Sequence, residues 1–155
     1  MPGYARVTGG TGVIDFLIEF VADLFVPEPS GRHAGKREAR AFAAGEGVTF
    51  EGFALGGRPY CRPDISYLTA TRTALVVTPT SVPGLLPRLV PVRNIDVLLI
   101  RDRRKSDPRA VRPFWQVVEC RDGTDEILMG GAPQHMDYLL TALGADAGAL
   151  PAGTP

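Results

Sequence analysis

The sequence predicts a mainly β domain with helices, an α+β sandwich or barrel finished by a C-terminal helix and preceded by an amphipathic one. Three observations carry this prediction. Seven short apolar runs between residues 48 and 130 are bounded by Gly, Pro, Asp or Asn, the pattern of hairpin-linked strands. Met136, Leu139, Leu140 and Leu143 then fall at helical spacing. A chain of 155 residues, 45% hydrophobic and 22% charged, has the size and composition of one globular domain with tails.

From the N-terminus, Val7 to Asp15 contains a Gly-rich turn that looks like the start of a nucleotide-binding fingerprint. Asp15 stands where the last glycine should be and would repel phosphate, and no βαβ unit with a ribose-binding carboxylate follows. Thr11 or Gly12 therefore reads as a helix N-cap. The helix expected over Val13–Val26 is too short for a bilayer, which takes about 20 apolar residues. Asp15, Glu19 and Asp23 recur every four residues and form one acidic stripe. Ile14, Leu17, Ile18, Val21, Leu24 and Phe25 make the remaining surface apolar, and Pro27 and Pro29 end the element. Such a helix packs on its own domain or serves as a partner-binding or self-association element. Its acidic stripe argues against an anionic membrane.

Residues 1–29 thus form a tail and helix, and 30–45 a linker rich in Ala, Gly and charge, with a short helix over Lys36–Ala44. The strand-rich body occupies 46–144, and 145–155 is a Gly/Ala/Pro tail expected to be disordered. The strands expected are Val48–Ala54, Ile65–Ala70, Ala74–Thr78, Leu89–Val92, Asp96–Arg101, Phe114–Arg121 and Glu126–Gly130. Alternation places Trp115, Val117 and Glu119 on one face and Phe114, Gln116, Val118 and Cys120 on the other. Asp122-Gly123 is a hairpin signal. The last helix runs over Ala132–Leu143 and is stopped by Gly144.

Tyr67-Leu68-Thr69-Ala70-Thr71-Arg72-Thr73-Ala74-Leu75 resembles the Tyr-Leu-Thr-x-x-Arg-x-Leu hairpin of PH-like and GRAM-type domains. Val90-Pro91-Val92-Arg93-Asn94-Ile95-Asp96-Val97 is similar to their next apolar segment, and Trp115–Gly123, Glu126–Met129 and the last helix follow in the same order. Thr73 departs from the pattern as an extra residue, and the Asp102–Pro113 loop is longer than a tight hairpin needs. The resemblance covers about residues 46–144. It implies a seven-strand PH-like sandwich with a C-terminal helix, and a module that binds phosphoinositides, peptides or partner proteins rather than an enzyme. In lipid-binding PH domains the basic residues come from the first hairpin, where Glu51 to Pro63 supplies only Arg58 and Arg62.

Lys+Arg and Asp+Glu both number 17, so the chain is formally neutral, which disfavours a nucleic-acid partner. Fifteen of the basic residues are arginines, a bias that a GC-rich genome produces without any role in phosphate recognition. The densest cationic stretch is Arg101, Arg103, Arg104, Lys105, Arg109 and Arg112, with Asp102 and Asp107 among them. It is a candidate anion-binding loop, for an anionic membrane surface or for the acidic stripe of Val13–Val26 in the same or a second chain. Catalytic residues are not expected. His33 falls in the linker, and His135 beside Asp137 reads as a surface residue near a helix start. Cys61 has no evident base, Cys120 reads as core, and Asp64, Asp96 and Asp122 sit at turns. Two cysteines do not make a metal set, and no cofactor is expected. Met1 to Gly12 lacks the pattern of a secretory leader, so the expectation is a cytoplasmic location with free thiols. The reading that results is a non-enzymatic scaffold that binds a protein partner or a second copy through the N-terminal helix. The alternative is a peripheral membrane adaptor using residues 101–112.

Overall fold

Strand β1, Val48–Leu55, organises the molecule because it belongs to two ladders. Its first residues pair antiparallel with β2, Ser66–Ala70, from Val48↔Ala70 to Gly52↔Ser66. Its last pair with β7, Asp125–Gly131, from Gly52↔Gly131 to Leu55↔Leu128. The computed structural model describes residues 32–80 and 86–150. Within them β3 is Leu75–Pro79, β4 Arg88–Leu89, β5 Ile95–Asp102 and β6 Gln116–Asp122. Together the strands form one antiparallel sheet in the order β4-β3-β2-β1-β7-β6-β5. Among the described residues the sheet is not closed, and β4 and β5 are its edge strands.

Gly52 marks the point where β1 passes from one ladder to the other. A Cβ there would collide with the Gly130 carbonyl oxygen and press on Leu68. A Cβ on Gly130 would collide with the Gln116 carbonyl oxygen and lie 2.9 Å from the Phe53 ring. Strands approach this closely only where the side chain is missing, and a strand that changes partner at such a point bends the sheet.

One face of the sheet carries the larger core. Phe50, Leu68, Val77, Val118, Cys120, Ile127 and Met129 meet there in the main core. Helix α2, Met136–Ala142, follows the short 3₁₀ turn Pro133–His135 and adds Met136, Leu139, Leu140 and Ala142. Each fully buried Leu or Phe side chain contributes roughly 1.5–3 kcal/mol. Gly144, at φ +74°, ends the helix, with its N–H donating to the Thr141 carbonyl. On the opposite face a smaller core gathers Phe53, Leu55, Ala110, Val111, Trp115 and Val117. The alternation expected in β6 holds: Val117 lies in the small core, Val118 and Cys120 in the large one.

All seven expected strands are present, with ends shifted by at most three residues. The Asp122-Gly123 turn joins β6 to β7 as expected, with Gly123 at φ +63°. Phe114 departs from expectation: β6 starts at Gln116, and Phe114 is not a strand residue facing the core. The segment read as a linker with a short helix holds the longer helix α1, Arg32–Ala43. It packs on the body, the Phe42 ring lying 4.8 Å from the Tyr138 ring of α2. Arg72 donates to the Ala43 carbonyl at 3.4 Å, so the β2–β3 turn caps the C-terminus of α1. The expected helix over Val13–Val26, with Ile14, Leu17, Ile18, Val21, Leu24 and Phe25, lies outside the described residues. So do the Gly-rich stretch before it and the last five residues of the expected tail; Leu150, earlier in that tail, packs against the main core. No helix among the described residues is long and apolar enough to cross a membrane.

Candidate interaction surface on the β5–β6 loop

The loop between β5 and β6 spans residues 103–115 and folds back over the outer face of the sheet. Its first half is held by Arg101, whose side chain is only 4% exposed. Arg101 Nη1 and Nη2 donate to the two Asp107 carboxylate oxygens, both at 2.8 Å. Its Nε donates to Glu119 Oε2 on β6, and Nη1 also reaches the Asp102 carbonyl at 3.1 Å. Asp107 in turn accepts the Arg104 backbone N–H at 2.6 Å. A forked guanidinium matches a carboxylate in this bidentate way, and the geometry is specific as well as strong. The Arg101 guanidinium holds the Asp107 carboxyl below the usual carboxylate range, and Asp107 raises the guanidinium further.

The second half is held by packing. Arg103 Nε donates to the Val111 carbonyl at 2.8 Å, while Ala110 and Val111 bury against Phe53, Trp115 and Val117. Arg112 pairs with Glu51 on β1 and lies 5.1 Å over the Trp115 ring. The loop then closes in a turn where the Trp115 N–H donates to the Arg112 carbonyl at 3.2 Å. Pro113 takes the first central position and Phe114 the second, at φ +69°. A positive φ there is the mark of a type II turn, a position glycine or asparagine normally fills. Phe114 is also 92% exposed. A bulky residue at positive φ is strained, and the strain persists only because the loop around it is fixed.

The six basic residues expected to bind an anion lie on β5 and the loop that follows it but are not equivalent. Arg101 is buried in a closed ion-pair cluster and cannot meet an external ligand. Arg104 lies 3.8 Å from Glu119, and Arg112 is paired with Glu51. Arg103 is exposed, as are Lys105 and Arg109, which have no ion-pair partner among the described residues. Sequence reasoning missed Phe114. The signal was Pro113 before it, since proline at the first central position of a turn takes the next residue out of the strand.

The remaining candidates sit in structural settings. Cys61 and Cys120 are buried free thiols; burial raises both, Cys120 to about 12. Asp122 accepts the Tyr60 hydroxyl at 2.8 Å, and Arg58 bridges it to Asp125, which ties the β1–β2 loop to the β6–β7 hairpin. Asp64 and Asp96 are exposed. His135 is stacked on Phe50, with ring centroids 4.8 Å apart, and burial lowers its pKa. Among the described residues no three His, Cys, Asp or Glu side chains cluster to hold a metal ion. No family model, curated protein or solved structure matches the chain.

Proposed function

We propose that this chain is a cytoplasmic, non-enzymatic PH-like interaction module. It binds a partner protein or a second copy of itself through the apolar surface of residues 13–26, and the curled sheet is the scaffold. The observation that carries the binding reading is Phe114, 92% exposed and strained on a loop held in place by the buried Arg101 and by the small core. A bulky residue held at positive φ costs stability, and strain of this kind gathers at sites that contact a ligand or partner, so an exposed aromatic in that state supports a binding role for the loop. The PH-like reading is supported by seven antiparallel strands followed by a helix that packs on the main core, the order the resemblance implies.

The test compares the full chain with a full-length variant carrying Leu17→Ser, Val21→Ser and Leu24→Ser, using light scattering on size-exclusion eluate. An associated full chain and a monomeric variant with unchanged melting are expected. Equal mass in both, or a variant that no longer melts cooperatively, would overturn the reading, the latter by making the segment part of the core. The second reading is a peripheral membrane adaptor, favoured by exposed Lys105 and Arg109 in the same loop as Phe114. It requires binding to anionic vesicles that weakens steeply with salt.

A further inference from the structure

We infer that the Phe114 end of the β5–β6 loop is the seat for residues 13–26 of a second copy of this chain. The inference rests on the interaction-module reading and adds where the segment docks. The loop offers one projecting aromatic, Phe114, and the exposed cations Arg103, Lys105 and Arg109. Residues 13–26 offer the complement: apolar Ile14, Leu17, Ile18, Val21, Leu24 and Phe25 beside Asp15, Glu19 and Asp23. On a helix those three carboxylates span about 12 Å, a length a single loop can match. An aromatic anchor would supply the affinity, and the opposed charges would set orientation and suppress other partners.

The donor is a second copy, for which the tether between residue 26 and the start of α1 sets no limit on reach. Phe42 of α1 packs against the main core and Tyr138, while the β5–β6 loop covers the small core on the opposite face of the sheet. Segment 13–26 is joined to α1 by the five residues 27–31, which extend over about 18 Å at most. A mixed surface of one aromatic and a few cations also fits an acidic, apolar segment better than a membrane. Arg101 and Arg112 are already neutralised, and anionic bilayers are held by clusters of four to eight free cations.

The experiment uses full-length variants and measures association by concentration-dependent light scattering. Phe114→Gly removes the anchor and suits the φ of +69°, so it should fold at least as well as the parent. It is expected to weaken association about tenfold or more. Lys105→Glu with Arg109→Glu should weaken it as well, and so should Asp15→Lys with Glu19→Lys and Asp23→Lys. The two sets combined should recover most of the loss, a rescue that only direct charge pairing produces. If the Leu17, Val21 and Leu24 variant is monomeric while Phe114→Gly and both charge reversals associate like the parent, the docking site is elsewhere. The interaction-module reading would then stand without this inference. A parent that is monomeric at every concentration overturns both. A monomeric parent that binds anionic vesicles, and loses that binding in Phe114→Gly, assigns the surface to a membrane instead.

Discussion

Arg101 shows how one side chain sets the shape of a loop. Its guanidinium is buried at the end of β5, and its carboxylate partners come from the loop at Asp107 and from β6 at Glu119. Desolvating three charges is costly, and the cost is recovered only while every partner is present. Arg101→Met leaves Asp107 buried without its cation, so we expect a loss of about 3–5 kcal/mol in urea unfolding. Arg101→Lys should recover little, because an ammonium cannot grip a carboxylate with two parallel hydrogen bonds. The pair also has a pH signature. Asp107 is held below its unfolded pKa, so its contribution is complete above about pH 4 and is lost as pH falls through the depressed value. Asp107→Asn should lower stability at neutral pH and flatten the acid limb of the stability curve below pH 4. An acid limb unchanged from the parent would show that Arg101 does not depend on that carboxylate.

At the scale of the element, β1 decides the architecture, and two glycines decide β1. Adding a Cβ at Gly130 drives it into the Gln116 carbonyl of β6 and the Phe53 ring. Overpacking at a rigid ladder commonly costs about 1–3 kcal/mol, and backbone on both sides leaves little room to yield. Gly130→Ala should therefore melt well below the parent. Gly57→Ala, where a Cβ meets nothing within 4 Å, should be close to neutral. Equal melting temperatures for the two would mean that the corner is not tightly packed. The strands were readable from sequence because alternation repeats every two residues and Gly, Pro and Asp mark the turns. The corner was not, because nothing near Gly52 announces that Gly130 will lie against it. The extent of α1 was hidden for the same reason: its apolar face is little more than Ala41 and Phe42, and Phe42 finds its partner Tyr138 only after folding. At the candidate surface the charges were legible as a cluster. Their sorting into buried, paired and exposed depends on Glu51, Asp107 and Glu119, two of which come from other strands.

At the scale of the molecule, His135 sits where three parts of the chain meet. Its ring stacks on Phe50 of β1, faces Tyr138 of α2 at 6.4 Å, and brings Nε2 to 4.0 Å from Glu38 of α1. The side chain is largely enclosed, and Nδ1 has no hydrogen-bond partner among the described residues. Burial disfavours the imidazolium and lowers the pKa below the ordinary 6.5 or so. α1 also carries Lys36, Arg37 and Arg40, β1 carries Glu51 and α2 carries Asp137, but the charged group within ion-pair distance of the ring is Glu38. Glu38 is near enough to attract a proton but partly solvated, so desolvation prevails. The unfolded chain therefore takes up a proton before the folded one does. The stability due to neutral His135 is complete above about pH 6.5 and is lost as pH falls through the depressed folded value. Melting temperature should decline between pH 7 and 5, and hydrogen exchange should show protection lost first along α1, whose docking shares the histidine. His135→Phe keeps the stack on Phe50 without a titrating group and should flatten that slope while leaving α1 protected at pH 5. A variant that declines as steeply as the parent would place the acid sensitivity elsewhere, and uniform loss of protection across the sheet would mean that α1 unfolds only with the whole domain.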